Sequence, residues 1–177
     1  SASYNGNGFT ISNLTIYKPE DYRVGLFGYL FLGYLENITL INIDITAAGD
    51  AGGLAGICGD GSSIVNCSVI GGSIVVNVGG GGLVSFMSSS TLYTDVVKLE
   101  KCSVRDVSIS SLSGWLVGGF AGWIAGYTVR DCYSICSVSN EWGDEVCSFI
   151  NELIRGGLVN CFCAGPLTTS PDNEERL

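Results

Sequence analysis

The chain has 177 residues, enough for one domain with a real core and too few for two ordinary ones. Its 26 glycines, 3 prolines and 14% charged residues suit short strands and tight turns and argue against long helices. With 17 acidic residues against 8 basic ones and a net charge of -9, the surface would repel a phosphate backbone, so nucleic acid is not expected as a partner.

A mean hydropathy of +0.38 makes membrane insertion worth testing. The two most apolar runs, residues 24–32 and 115–123, are broken by glycine. Both fall short of the roughly 18–20 residues that a spanning helix needs, and no membrane insertion is expected. The segment Ser1 to Tyr4 has neither a basic start nor an apolar stretch, so no signal peptide is expected there.

Taken along the chain, one phrase recurs as Val24-Gly25-Leu26-Phe27-Gly28, Gly52-Gly53-Leu54-Ala55-Gly56, Gly81-Gly82-Leu83-Val84-Ser85 and Gly118-Gly119-Phe120-Ala121-Gly122, with a degraded copy at residues 147–151. The anchors Leu26, Leu54, Leu83, Phe120 and Phe149 are 28, 29, 37 and 29 residues apart, a period with one insertion. A second phrase follows each anchor: Asn37-Ile38-Thr39, Asn66-Cys67-Ser68, Lys101-Cys102-Ser103, Asp131-Cys132-Tyr133 and Asn160-Cys161-Phe162, with Asn13-Leu14-Thr15 as an upstream copy. A third, alternating phrase comes next, as in Ile41-Asn42-Ile43-Asp44-Ile45. The insertion falls at about Met87 to Leu99 and is expected to project as a surface feature, with Tyr93 as its candidate contact residue.

A unit of about 29 residues cannot bury its apolar face alone and must stack on its neighbours. The expected fold is all-β: a right-handed parallel β-helix (β-solenoid) of five to six coils with three short strands per coil. One solenoid domain spans residues 1–168, with repeats near 4–23, 24–50, 51–79, 80–115, 116–144 and 145–168, and residues 169–177 form a polar tail.

These phrases resemble GLUG-motif repeats, through the Gly-apolar-apolar-Gly cores 25–28, 53–56 and 119–122 and the followers Asn66-Cys67, Asp131-Cys132-Tyr133 and Asn160-Cys161. The resemblance covers roughly residues 4–168 and implies a secreted or cell-surface bacterial setting, of the kind found in adhesin-like proteins, more than any chemistry.

Cys67, Cys102, Cys132 and Cys161 take the repeat position held by Leu14 and Ile38, which predicts an inward ladder of small apolar side chains. Disulfides between stacked members are not favoured, and pairing among Cys58, Cys136, Cys147 and Cys163 stays open. With no histidine and no Cys-x-x-Cys knuckle, no metal is expected. Asn13, Asn37 and Asn66 sit in formal glycosylation sequons, but their shared position, with Asn160, predicts a stacked amide ladder at a corner instead.

No catalytic group and no cofactor is expected. Glycoside hydrolysis needs two facing carboxylates, and Asp44, Asp50, Asp60, Asp95, Asp106, Asp131, Glu141, Asp144 and Glu145 show no repeat-aligned cluster. Arg105-Asp106 and Arg130-Asp131 are expected one rung apart as a solvated cross-strand pair. The sequence therefore predicts a non-enzymatic, extracellular adhesin-like solenoid that meets a protein or glycan ligand. A fibre or tube subunit that stacks on its own copies is an alternative, and a fragment of a carbohydrate-active enzyme a second one.

Overall fold

A computed structural model describes residues 3–90, 97–141 and 146–169. Every regular element in them is a β-strand, and the strands pair in parallel from one coil to the next, so the chain is a β-solenoid of about five turns.

Each coil visits four sheets in turn. Sheet I holds six short strands, Ser3–Asn5, Tyr34–Glu36, Ser63–Val65, Leu99–Glu100, Thr128–Arg130 and Gly157–Val159. Sheet II holds the long strands Thr39–Ala47, Ser68–Val76, Ser103–Ser111 and Tyr133–Asn140, flanked by split rungs at either end. Sheet III contains Arg23–Val24, Asp50–Gly52, Gly79–Gly81, Leu116–Gly118 and Val146–Cys147. Sheet IV contains Phe27–Leu30, Ala55–Cys58, Val84–Ser88, Ala121–Ala125 and Ile150–Ile154.

Four strands per coil replace the expected three because the anchor phrase is folded in two. Asp50–Gly52 lies on one side of the Gly53-Leu54 corner and Ala55–Cys58 on the other. The glycines permit this. A Cβ at Gly52 would lie 2.4 Å from the Ala55 carbonyl oxygen and 2.6 Å from the Val84 Cα, both of them backbone atoms. The anchors Leu54, Leu83 and Phe120 are fully enclosed, and Phe149 nearly so, while Leu26 in the first described coil is only partly covered.

The core runs along the solenoid axis as registered ladders. Ile45, Ile74, Ile109 and Val138 form one of them on sheet II, each fully or almost fully buried. Strict alternation is interrupted in three of the long sheet II strands, where Asn42, Gly71 and Asp106 take positive φ, whereas Tyr133–Asn140 alternates without a kink and its pairing with Ser103–Ser111 shifts by one residue between Arg105 and Ser108. In the first coil the same kink, at Asn13, splits the strand into Thr10–Ser12 and Thr15–Lys18.

The anchor interval of 37 residues contains two insertions. Partners across sheet II are 35 residues apart, as in Ser68 and Ser103, whereas those across sheet III are 37 apart, as in Gly80 and Val117. Most of the extra length therefore leaves between sheets IV and I, where Met87 to Leu99 was expected. The remainder widens the corner between sheets II and III, from 77–78 in one coil to 112–115 in the next.

Candidate functional site

The corner between sheets I and II carries the predicted ladders. Asn37, Asn66, Lys101, Asp131 and Asn160 all take positive φ there, a conformation that Asn and Asp tolerate best among residues with a side chain. The Asn66 amide donates to Asn37 Oδ1 at 2.6 Å, and the Asn37 amide to Asn5 Oδ1 at 3.2 Å. Higher up, the Asn160 amide donates to Asp131 Oδ1 at 3.1 Å, and Lys101 interrupts the series between.

Asn13 and Leu14 belong elsewhere. Thr10 pairs with Thr39 and the Asn42 amide donates to Asn13 Oδ1 at 2.8 Å, so Asn13 stands beneath the sheet II kink and not beneath Asn37. The turn through Gly6 to Phe9 occupies the Asn37-Ile38 position in the first coil.

The core ladder is thus Ile38, Cys67, Cys102, Cys132 and Cys161, buried except for the half-buried Cys161. Each thiol donates to the carbonyl two residues earlier, Val65, Glu100, Arg130 and Val159, at 3.1–3.3 Å. The positive-φ residue between thiol and carbonyl turns the chain so that they meet. Burial pushes the Cys102 thiol well above its ordinary value, and raises Cys58, on sheet IV, to about 12. Thiols raised by burial in this way pack without reacting, while the hydrogen bond with Cys102 holds its neighbours Cys67 and Cys132 below their ordinary value. All eight cysteines are free thiols; Cys136 is also buried, Cys147 half-buried and Cys163 exposed.

Facing outward on sheet IV is a second registered series: Tyr29, Ile57, Phe86, Trp123 and Glu152. Phe86 and Trp123 stack with ring centroids 4.1 Å apart and planes 11° apart. In the lowest coil the Arg23 guanidinium, reaching across from sheet III, lies 5.3 Å from the centre of the Tyr29 ring. Apolar side chains in register on the outer wall are not needed by the core, so this face offers more than a plain scaffold requires.

Beside this wall, over the start of sheet III, lies a groove of about 420 Å³ lined by Asp50, Asn77, Val78, Ser113, Trp115, Leu116 and Glu152, with Gly79 and Gly114 in its backbone. Trp115 is 74% exposed and stands on the widened corner. That corner is tightly braced. The Leu112 amide donates to Val76 O at 2.9 Å, the Gly114 amide to Ser111 Oγ at 2.6 Å and the Ser113 hydroxyl to Asn77 O at 2.9 Å. The Asn140 side-chain amide donates to Gly114 O at 2.6 Å. Gly114 admits no side chain, since a Cβ would fall 1.8 Å from Val78 O. Asp50 accepts from the Ser85 hydroxyl at 3.0 Å, and its partial burial raises its carboxyl above the usual range against the opposing pull of Ser85 and Arg23.

Among the described residues no group of three His, Cys, Asp or Glu is placed to hold a metal ion, and no helix is long and apolar enough to cross a membrane. Arg105 and Arg130 are not neighbours: Arg105 pairs with Ile135 on sheet II and Arg130 with Glu100 on sheet I. Arg105 ion-pairs instead with the adjacent Asp106 at 3.1 Å, in full view of solvent. Asp60 accepts the Ser90 amide at 2.6 Å where the large insertion begins. Tyr93, the expected contact residue of that insertion, lies outside the described residues, as do Asp95, Asp144 and Glu145.

Among known proteins, a stretch of 57 residues, 32% of this chain, is 47% identical to part of Halomucin from Haloquadratum walsbyi. The match spans only 1% of Halomucin's own length. No family model matches the chain, and no solved structure does.

Proposed function

We propose that this chain is a structural, adhesin-like β-solenoid segment of an extracellular or cell-surface protein, which makes contacts through its outer faces and performs no catalysis. The observation that carries this reading is the outward apolar series Tyr29, Ile57, Phe86 and Trp123, held in register by a core that does not need it. The GLUG-like phrasing and the likeness to a stretch of Halomucin are compatible with it.

Immobilised chain is tested against intact cells, a glycan array and a polysaccharide panel. Saturable binding to cells or glycans without release of reducing ends is the expected result. Reducing-end release from any polysaccharide would overturn the non-catalytic reading, and concentration-dependent elongation seen by electron microscopy would favour a self-assembling fibre.

A further inference from the structure

The groove beside Trp115 is open on the outer surface, and its chemistry is one-sided. Among the described residues that line it, the ionisable side chains are the two carboxylates of Asp50 and Glu152, and none is basic. Its apolar surface comes from Val78, Leu116 and the open indole of Trp115. A negative site with an exposed indole attracts a cation through both Coulomb attraction and the ring quadrupole.

The molecule itself provides the precedent. Two coils below, on the same side of the solenoid, Arg23 of sheet III lays its guanidinium over Tyr29 of sheet IV. Strand pairing puts Asp50 on the rung directly above Arg23, and the sheet III start positions of the next two coils are Gly79 and Leu116. The aromatic series continues upward through Phe86 and Trp123, but Gly79 and Leu116 stand where a second arginine would have to start. Gly79 also keeps the floor open, because a Cβ there would lie 2.6 Å from Asp50 Oδ1 and 2.9 Å from Ser85 Oγ.

We propose that the Asp50–Trp115–Glu152 groove is a recognition site for a basic side chain of a partner protein, an arginine inserted so that its guanidinium stacks on Trp115 in the negative field of the carboxylates that line the groove. A lysine ammonium satisfies the charge but not the stacking, and a neutral sugar satisfies the indole but brings no positive charge to the groove. The hydrogen bonds of Ser111, Ser113, Gly114 and Asn140 brace the backbone that carries Trp115, which lowers the ordering cost of the corner on binding. This assignment deepens the surface-contact reading and rests on it for its biological use.

The test is a titration of the full chain with N-acetyl-arginine-N-methylamide, followed by the indole N–H resonance of Trp115. The matched lysine and glutamine amides and methyl glucoside are run in parallel. Saturable binding is expected for the arginine probe, at least threefold weaker binding for lysine, and none for glutamine or methyl glucoside. Trp115→Ala should weaken the arginine probe at least tenfold and Glu152→Gln at least threefold. Both side chains are exposed, so neither change threatens the fold, and unchanged thermal melting confirms this for each variant. Absence of a saturable shift, equal binding of the glutamine amide, or preferential binding of methyl glucoside would overturn the proposal. Cell or glycan binding that survives Trp115→Ala would leave the surface-contact reading standing while removing this site from it.

Discussion

Gly81 offers a one-methyl test of how the coils are built. A Cβ there would lie 2.0 Å from the Val84 carbonyl oxygen, 2.7 Å from the Ala121 Cα and 3.0 Å from the Gly122 nitrogen. All three are backbone atoms, and two of them belong to the next coil, so no side-chain rotation relieves the clash. Overpacking that side chains absorb costs about 1–3 kcal/mol, and one locked by backbone on two rungs belongs at about 3–4 kcal/mol. In a chain of this size each kcal/mol moves the melting temperature by about 2–4 °C, so Gly81→Ala should lower it by about 6–16 °C. Two controls separate crowding from backbone strain. Gly71 has φ of +71° but nothing nearer than 3.9 Å, so Gly71→Ala should cost only about 1–2 kcal/mol. Gly157 has an ordinary φ and its nearest atoms lie at 3.9 and 4.0 Å. Gly157→Ala should therefore be neutral or stabilising by up to about 1 kcal/mol. Melting is followed by both circular dichroism and tryptophan fluorescence, since stacked coils need not unfold in one step. A Gly81→Ala protein as stable as Gly157→Ala would refute the folded-corner geometry.

Asn66 combines positive φ with a ladder amide, so Asn66→Ala should cost about 1–2 kcal/mol, and Asn66→Gly, which keeps the backbone conformation, clearly less in chemical denaturation. Brief treatment of the native protein with iodoacetamide near neutral pH should modify Cys163 and spare Cys58, Cys67, Cys102 and Cys132, as read by peptide mass spectrometry. Rapid modification of Cys102 in folded protein would contradict the buried ladder. The Cys58 thiol is raised from 9.0 to about 12 on folding, so the folded state holds its proton more tightly than the unfolded state. Its contribution is complete below pH 9 and lost as pH rises towards about 12, and Cys58→Ala should flatten that alkaline decline in stability.

Much of the architecture was legible because period and residue type agree at several positions. Leu54, Leu83 and Phe120 recur with glycine before them, and only a stacked coil explains both the enclosed side chain and the glycine whose Cβ would strike the next rung. The cysteine ladder was legible for the same reason. Asn13 misled because its tripeptide matches the corner phrase, yet it lies 24 residues before Asn37 and 29 before Asn42; the period, and not the wording, sets the rung. The single 37-residue interval concealed two insertions, since anchor spacing cannot say at which corner the residues leave. The split of the anchor phrase was hidden too, because a sharp bend and a flat glycine-rich strand look alike in sequence. Trp115 and Glu152 went unnoticed because they lie 37 residues apart and meet Asp50 only through the fold of sheets III and IV. Their sole sequence signal was the lengthening of the corner at 112–115.

All the ladders, the outward aromatic series and the groove follow from one register, in which Val69 lies between Leu40 and Val104. Cross-strand nuclear Overhauser contacts in isotope-labelled protein measure it directly. Backbone protons around Val69 should contact those around Leu40 and around Val104 with a parallel pattern, and those around Ile74 should contact Ile45 and Ile109 in the same way. An antiparallel pattern, or contacts of Val69 or Ile74 shifted by even one residue on either neighbouring strand, would contradict the account.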